Sequence, residues 1–272
     1  MERALNCRFS RLYSTKTPVN PGNAGAGFTI SYWYQTAGFP SAGLAPTGTA
    51  TALSNASTGA IAFMQQTSPR TSYLGDLNGS CVLAGHTVEI HDRLIQITST
   101  AQTTTQTVTG FALNSFLSTN NIGARIGDAN YSDVQWWVEN PLAGVNTTIT
   151  LTINVTYNDA TTGNLTLAGY LNFRQARMFA LNSLIPAADA GKFIRAINNV
   201  TSSATITPNN IAFVATRYRA SLYLEVANQI YNGGWTELGM PEIYNQSCLF
   251  PIIIAPGVNV STVNLDGTIV HG

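Results

Sequence analysis

The chain has 272 residues, 44% of them hydrophobic and only 10% charged, with 13 basic and 13 acidic side chains and a formal net charge of +0. A chain of this length hides roughly 75% of its unfolded surface, so stability requires neither disulfides nor metal, and the hydrophobic content excludes disorder despite the low charge. Zero net charge argues against a dedicated nucleic-acid binder, which neutralises phosphates with clustered Lys and Arg, and no apolar run approaches the roughly 18 residues of a membrane span.

Cys7, Cys81 and Cys248 are far apart and form no Cys-x-x-Cys pair, so free thiols in a reducing compartment are expected. No basic stretch followed by an apolar core opens the sequence, and the protein is expected to be made and kept in the cytoplasm until assembly. With so few charges, the polar surface must come from Thr, Ser, Asn and Gln. Such side chains cost little rotamer entropy to immobilise and little desolvation when covered, which suits repeated subunit contacts.

Along the chain, residues 1–27 read as an N-terminal arm, with a strand candidate at 4–13. Arg3, Arg8, Arg11 and Lys16 stand there against Glu2, and the segment is either a frayed end or an arm that docks on a neighbour. Residues 28–100 read as a loop-rich β region, with strands at 28–35, 59–65 and 88–97. Residues 37–58 are small and rich in Pro and Gly, an extended connection of the kind that is functional or ordered by a partner. Residues 101–272 read as a separate sandwich domain, with further strands at 104–113 and 133–139. The clearest alternation follows: Ile149, Leu151, Ile153, Val155 and Tyr157 are interleaved with Thr150, Thr152, Asn154 and Thr156, a half-buried strand. The turn at 158–163 then leads into Leu165 and Leu167, which makes a hairpin. Strands at 192–200, 209–215, 217–226, 248–255 and 258–270 complete the set, the last with a bulge near Ser261 and Thr262 where the apolar phase shifts. Helical suspects are short: 112–118, 187–192 and 235–239. Many short strands broken by Gly, Pro and Asn predict an all-β fold, an antiparallel β-sandwich of jelly-roll type with a loop-rich, extended N-terminal region.

The search for chemistry yields little. His86, His91 and His271 are the only histidines, and His271 sits next to the last residue, where ordered chemistry is not expected. The tract from His86 to Asp92 holds four potential metal ligands. On a strand, however, Glu89 and His91 point away from Asp92, which favours a solvated or interfacial face over a metal site. Asp92 falls on the apolar side, and a buried carboxylate accepting backbone or arginine hydrogen bonds explains it. No nucleophile elbow, phosphate loop or His-Glu-x-x-His helix is present. No catalytic residue, cofactor or metal is therefore assigned, and the chain is expected not to be an enzyme. Tyr32, Trp33 and Tyr34, and Trp136 with Trp137, form two aromatic groups in which at least one ring each should face outward. Such a ring serves as an interface anchor or stacks on carbohydrate. Together with Arg3, Arg8, Arg11 and Trp235 these residues are the candidate interface. Arg174, Arg177, Lys192, Arg195, Arg217 and Arg219 make either a basic patch or scattered solvated charges.

The order of several short motifs resembles a family of tailed-bacteriophage virion proteins, often encoded near capsid genes. The motifs are Ser31-Tyr32-Trp33, Gly38-Phe39-Pro40, Ala42-Gly43, Pro46, Thr58-Gly59-Ala60, Tyr73-Leu74-Gly75 and Val88 through Leu94, followed by Thr107-Val108-Thr109, Asp133 through Glu139 and Trp235 through Tyr244. Relatives commonly follow the Asp-Arg-Leu with Trp and His, where this chain has Ile95 and Gln96. The resemblance implies a virion component with no catalytic residues to carry over. The expectation is a capsid decoration or cement protein on the capsid exterior, assembled in the bacterial cytoplasm, with itself (as a homotrimer) and the major capsid protein as partners. No direct nucleic-acid or membrane contact is expected. Tail, neck or fibre protein, with glycan binding, and virion-associated hydrolase are the rivals.

Overall fold

The computed structural model describes residues 8–17, 28–67, 70–100, 103–141, 148–170, 176–205, 210–256 and 262–272. In chain order the elements begin with β1 (Arg8–Thr17), β2 (Phe28–Ser31), β3 (Ala37–Phe39), β4 (Thr51–Ala52), β5 (Ser72–Cys81), β6 (His86–Thr100) and β7 (Gln106–Thr107). Helix α1 (Ile122–Arg125) precedes β8 (Val134–Glu139), β9 (Ile149–Tyr157), β10 (Thr162–Tyr170), β11 (Arg177–Ala180), β12 (Ile194–Ser202), β13 (Asn210–Leu224) and β14 (Tyr231–Gly233). Helix α2 (Trp235–Leu238), β15 (Leu249–Ala255) and β16 (Val263–His271) close the chain.

The strands form three antiparallel sheets. Sheet I has the order β14-β5-β16-β1-β3 and sheet III the order β10-β9-β12-β7. Sheet II runs β13-β8-β11-β2-β15-β6-β4, and β13 also pairs with β6. Six of its strands therefore close into a ring, which removes their free edges.

Sheet II is buried on both faces over most of its area, Tyr218 and Tyr223 of β13 being exposed. Leu94, Ile95, Ile97, Val134, Trp136, Val138, Ile211 and Phe213 meet Leu151, Ile153, Val155, Leu165 and Val200 of sheet III in one core. Val88, Ile90, Leu222, Leu224 and Ile253 meet Leu12, Leu74, Leu77, Leu265 and Ile269 of sheet I in a second. Residues facing the other way, among them Trp137, Val214, Phe250 and Ile252, fill the ring with Trp33 and Tyr34. Each fully buried aliphatic side chain contributes about 1.5–3 kcal/mol relative to exposure.

The long strands β6 and β13, 15 residues each, make this possible. Paired along their length, they serve the sheet I core at one end and the sheet III core at the other. Register shifts between Ala215 and Thr216 and between Tyr218 and Ala220 change the facing phase midway. The two strands expected at 209–215 and 217–226 are thus one bulged strand.

The expected all-β, antiparallel character is present, and residues 149–157 form β9 with the anticipated alternation of burial. The three-way domain division is corrected. β1, placed in the supposed arm, lies inside sheet I between β16 and β3, and β6 pairs with β13 and β15 across residue 101. Arm, middle region and C-terminal region share cores because the two ends of the chain pair with each other. β5 escaped the sequence reading. A register shift near Gly75 breaks its alternation, and Gly79 leaves room for Leu222, Leu224 and Leu265, which a Cβ there would crowd. The bulge expected at Ser261 and Thr262 falls at the boundary of the described residues; a shift is seen on β16 between Thr268 and Ile269.

Candidate functional site: a buried charge network and an exposed sheet face

Where β6 and β13 pass from one core to the other, the fold encloses ionised side chains. The Asp92 carboxylate is fully buried. It accepts from Arg125 Nη2 at 2.6 Å and Nε at 3.1 Å, from Arg219 Nη2 at 3.2 Å, from the Ser247 hydroxyl at 2.8 Å and from the Cys248 amide at 2.7 Å. Burial alone would raise the Asp92 pKa, but Arg125, Arg219 and Ser247 outweigh it and hold the group at about 2. Arg125 also donates to the carbonyls of Leu53, Asn120 and Arg93, which engages all the donors of its guanidinium. One side chain thus ties together β6, the segment after β4, the loop before α1 and, through Asp92, the turn before β15.

A second pair lies inside the ring. Arg93 donates to Glu139 at 2.8 Å, to the Tyr34 hydroxyl at 3.2 Å and to Gln96 at 3.0 Å, with its guanidinium 4.8 Å from the Trp33 ring centroid. Arg93 and Glu139 are both fully buried. Desolvation opposes the Arg93 charge, yet the neighbouring Glu139 carboxylate and the Tyr34 phenol raise its pKa. Next to them His91 bonds Glu89 at 2.8 Å and Thr216 at 3.1 Å. Both clusters join strands rather than open to solvent, and they brace the sheet.

The aromatic part of the expected interface is therefore corrected. Tyr32, Trp33, Tyr34, Trp136 and Trp137 are all buried, because strands of sheet II have a core on either face and adjacent rings find apolar surroundings both ways. Trp33 Nε1 donates to Leu44 O, Trp136 Nε1 to Ile194 O, and Trp137 Nε1 to Thr216 Oγ1. Trp33 also organises the connection 37–58. Gly43 lies against its indole so closely that a Cβ would overlap the ring, and Thr98 N–H and Leu53 N–H tie the segment to β6. That connection is ordered by its own chain. Trp235 is 67% exposed. Arg3 lies outside the described residues, and of Arg8 only the backbone, in β1, is described.

The expected basic patch is not formed by the residues described. Arg217 pairs with Asp133, Arg219 with Asp92, and Lys192 with Asp189 and Asp159, while Arg177 is buried, Arg195 is half-buried on β12 and Arg174 lies outside the described residues. His271, where ordered chemistry was not expected, is buried and bridges Ser10 through Nε2 and Ser72 through Nδ1, each at 2.9 Å. The pairing of β16 with β1 and β5 holds it there. A serine beside an imidazole is a nucleophile–base geometry, but the group behind this ring is a hydroxyl and not a carboxylate. Among the described residues no cluster of three or more His, Cys, Asp or Glu could hold a metal.

The outer face of sheet I is the exposed feature that the sequence did not single out. Phe9, Tyr13 and Phe39 are 63%, 43% and 50% exposed, with Tyr13 stacked on Phe39 at 6.0 Å. Arg11 grips Asp266 through two bonds of 2.6 Å. Shallow concavities of about 410 and 370 Å³ flank this pair, lined largely by Asn78, Ser80, Asn264, Asp76 and Thr268. Ile230, 78% exposed, closes the rim of the larger.

No protein-family model matches the sequence, and no curated protein matches it. Among solved structures it aligns with the VP2 subviral particle of infectious bursal disease virus, at 9% identity over 100% of this chain and 82% of that chain, with a TM-score of 0.19. It also aligns with T=1 particles derived from the same virus, at 9% identity over 97% and 77% of the two chains, with a TM-score of 0.20. Likenesses of this size carry no argument about fold or function. No helix among the described residues is long and apolar enough to cross a membrane.

Proposed function

We propose that this chain is a structural subunit of a virus particle, specifically a capsid decoration or cement protein of a tailed bacteriophage that sits on the head exterior and bridges capsomers. The role is structural, not catalytic. The observation that carries it is the distribution of polarity: buried positions hold Asp92, Arg93, Arg125, Glu139 and Arg219, while the outer face of sheet I offers aromatic rings, amides and hydroxyls around the mutually neutralising Arg11–Asp266 pair and Asp76. A face built this way desolvates cheaply and has rings suited to anchoring a contact. The order of motifs shared with tailed-phage virion proteins supports the same reading.

In this reading the partners are the major capsid protein and further copies of the chain, arranged as a homotrimer matched to a symmetry axis of the shell. Weak contacts at several seams then add through avidity. The jelly-roll sandwich belongs to the same proposal, supported by the two-layer packing of sheet II on sheets I and III. Quantitation of the chain in purified particles tests the idea. Copies in constant proportion to the major capsid protein are expected, and a handful per particle would transfer the assignment to neck, tail or fibre. A virion-associated hydrolase is the second reading, favoured by the Ser10–His271 hydrogen bond alone. Hydrolytic activity abolished by Ser10→Ala would establish it.

A further inference from the structure

Sheet edges expose unpaired N–H and C=O groups, and folded proteins guard them by shortness, charge, proline or cover. Four edge strands here, β3, β4, β7 and β14, are only two or three residues long. The exception is β10, nine residues long, at the edge of sheet III. Its sequence, Thr-Gly-Asn-Leu-Thr-Leu-Ala-Gly-Tyr, contains no charge and no proline.

The direction of its backbone groups follows from the hairpin. Tyr157 N–H donates to Thr161 O at 2.9 Å, so odd-numbered residues of β9 address β10. Consistently, Thr150 O accepts from Ser203 and Asn158 N–H donates to Phe193 O, on the β12 side. Since antiparallel pairs alternate, Gly163, Leu165 and Leu167 bond to β9, while Thr162, Asn164 and Thr166 turn N–H and C=O outward. Those three residues also expose their side chains, and among the described residues no strand pairs with that edge.

We propose that β10 is a docking edge for a second copy of this chain, the two β10 strands pairing antiparallel about a two-fold axis at Asn164. This register sets Thr162 opposite Thr166 of the second copy and Asn164 opposite Asn164, each pair exchanging two backbone hydrogen bonds. The occupant is a second copy because the edge is self-complementary. An uncharged strand meets no like-charge repulsion from itself, and Thr–Thr neighbours favour cross-strand contact. Asn154 donates to Asn164 Oδ1 at 2.8 Å, and the second lone pair of that oxygen can accept from the Asn164 amide N–H of the other copy. Sheet III then continues across the axis, and Leu165 and Leu167 extend its apolar face into the other copy. The pairing is isologous.

The inference stands on strand geometry alone and is tested without particles. Sedimentation velocity on the purified full chain should show concentration-dependent doubling of mass, and hydrogen exchange should show protection of residues 162–166 that is lost on dilution. Asn164→Lys, with folding checked by circular dichroism, brings like charges together at the axis and should weaken doubling at least about tenfold. Thr166→Pro removes an outward N–H without taking a bond from β9 and should act in the same direction. A wild type that never doubles, or one that doubles as well with Asn164→Lys as without, overturns the proposal. Neither result touches the virion assignment, which particle quantitation decides.

Discussion

Replacing Asp92 by Asn preserves shape and removes one charge, and the consequence can be worked from the contacts. The wild-type carboxylate neutralises two guanidiniums, Arg125 and Arg219, and both partners of the 2.6 Å contact are fully buried. Breaking a buried pair by removing one partner costs about 3–5 kcal/mol, because the remaining charge is left uncompensated. The asparagine amide would also turn an NH2 toward at least one existing donor. Against a typical folding stability of about 5–15 kcal/mol, Asp92→Asn is expected to lower the unfolding midpoint by about 6–20 °C. Urea denaturation followed by fluorescence reports it directly, since Trp33, Trp136 and Trp137 are buried. The double variant Asp92→Asn, Arg125→Met should recover part of the loss, as contacting residues couple. A loss below about 1 kcal/mol, or strict additivity of the two changes, would refute the view that this network braces the junction of the cores.

The acid limb gives a related expectation. The folded pKa of Asp92, about 2, lies below its unfolded value, so its stabilisation is complete above pH 3.8 and disappears as pH falls toward 2; acid titration of stability should show a steeper fall for wild type than for Asp92→Asn. Lys16 behaves oppositely. Buried against the carbonyls of Gln35 and Ser41, its pKa is lowered to about 8 by burial, so the unfolded chain holds the proton more tightly and stability should rise between pH 8 and 10.5; a flat profile for wild type, identical to that of Lys16→Met, would contradict this. Trp33→Ala is expected to cost about 3–5 kcal/mol, whereas Trp235→Ala, at an exposed position, should stay within about 0.5 kcal/mol of wild type, as thermal denaturation of the two variants would show. Gly43→Ala forces a methyl into the Trp33 ring and should destabilise by about 1–3 kcal/mol, with Gly48→Ala, which meets open space, as the neutral control.

Local pattern determined the β class, the position of β9 and its hairpin, and the buried, arginine-paired state of Asp92. Each depends on side-chain alternation with a period of two, or on the cost of a lone carboxylate among apolar neighbours, and both are written in adjacent residues. Tertiary structure decided the rest. Whether Trp33 and Trp137 face water depends on how many layers cover a strand, and here the ring of sheet II has cores outside and within. The partners of Arg125 come from residues near 53, 92, 93 and 120, and the neighbours of β1 come from the far end of the chain. A bulge at Leu94 or Gly75 reverses which side chains face inward, and closure of the ring leaves β10 as the one long strand at the end of a sheet among those described. Such pairings join residues from tens to more than two hundred positions apart, and it is the packing of whole sheets, not the local alternation, that selects them.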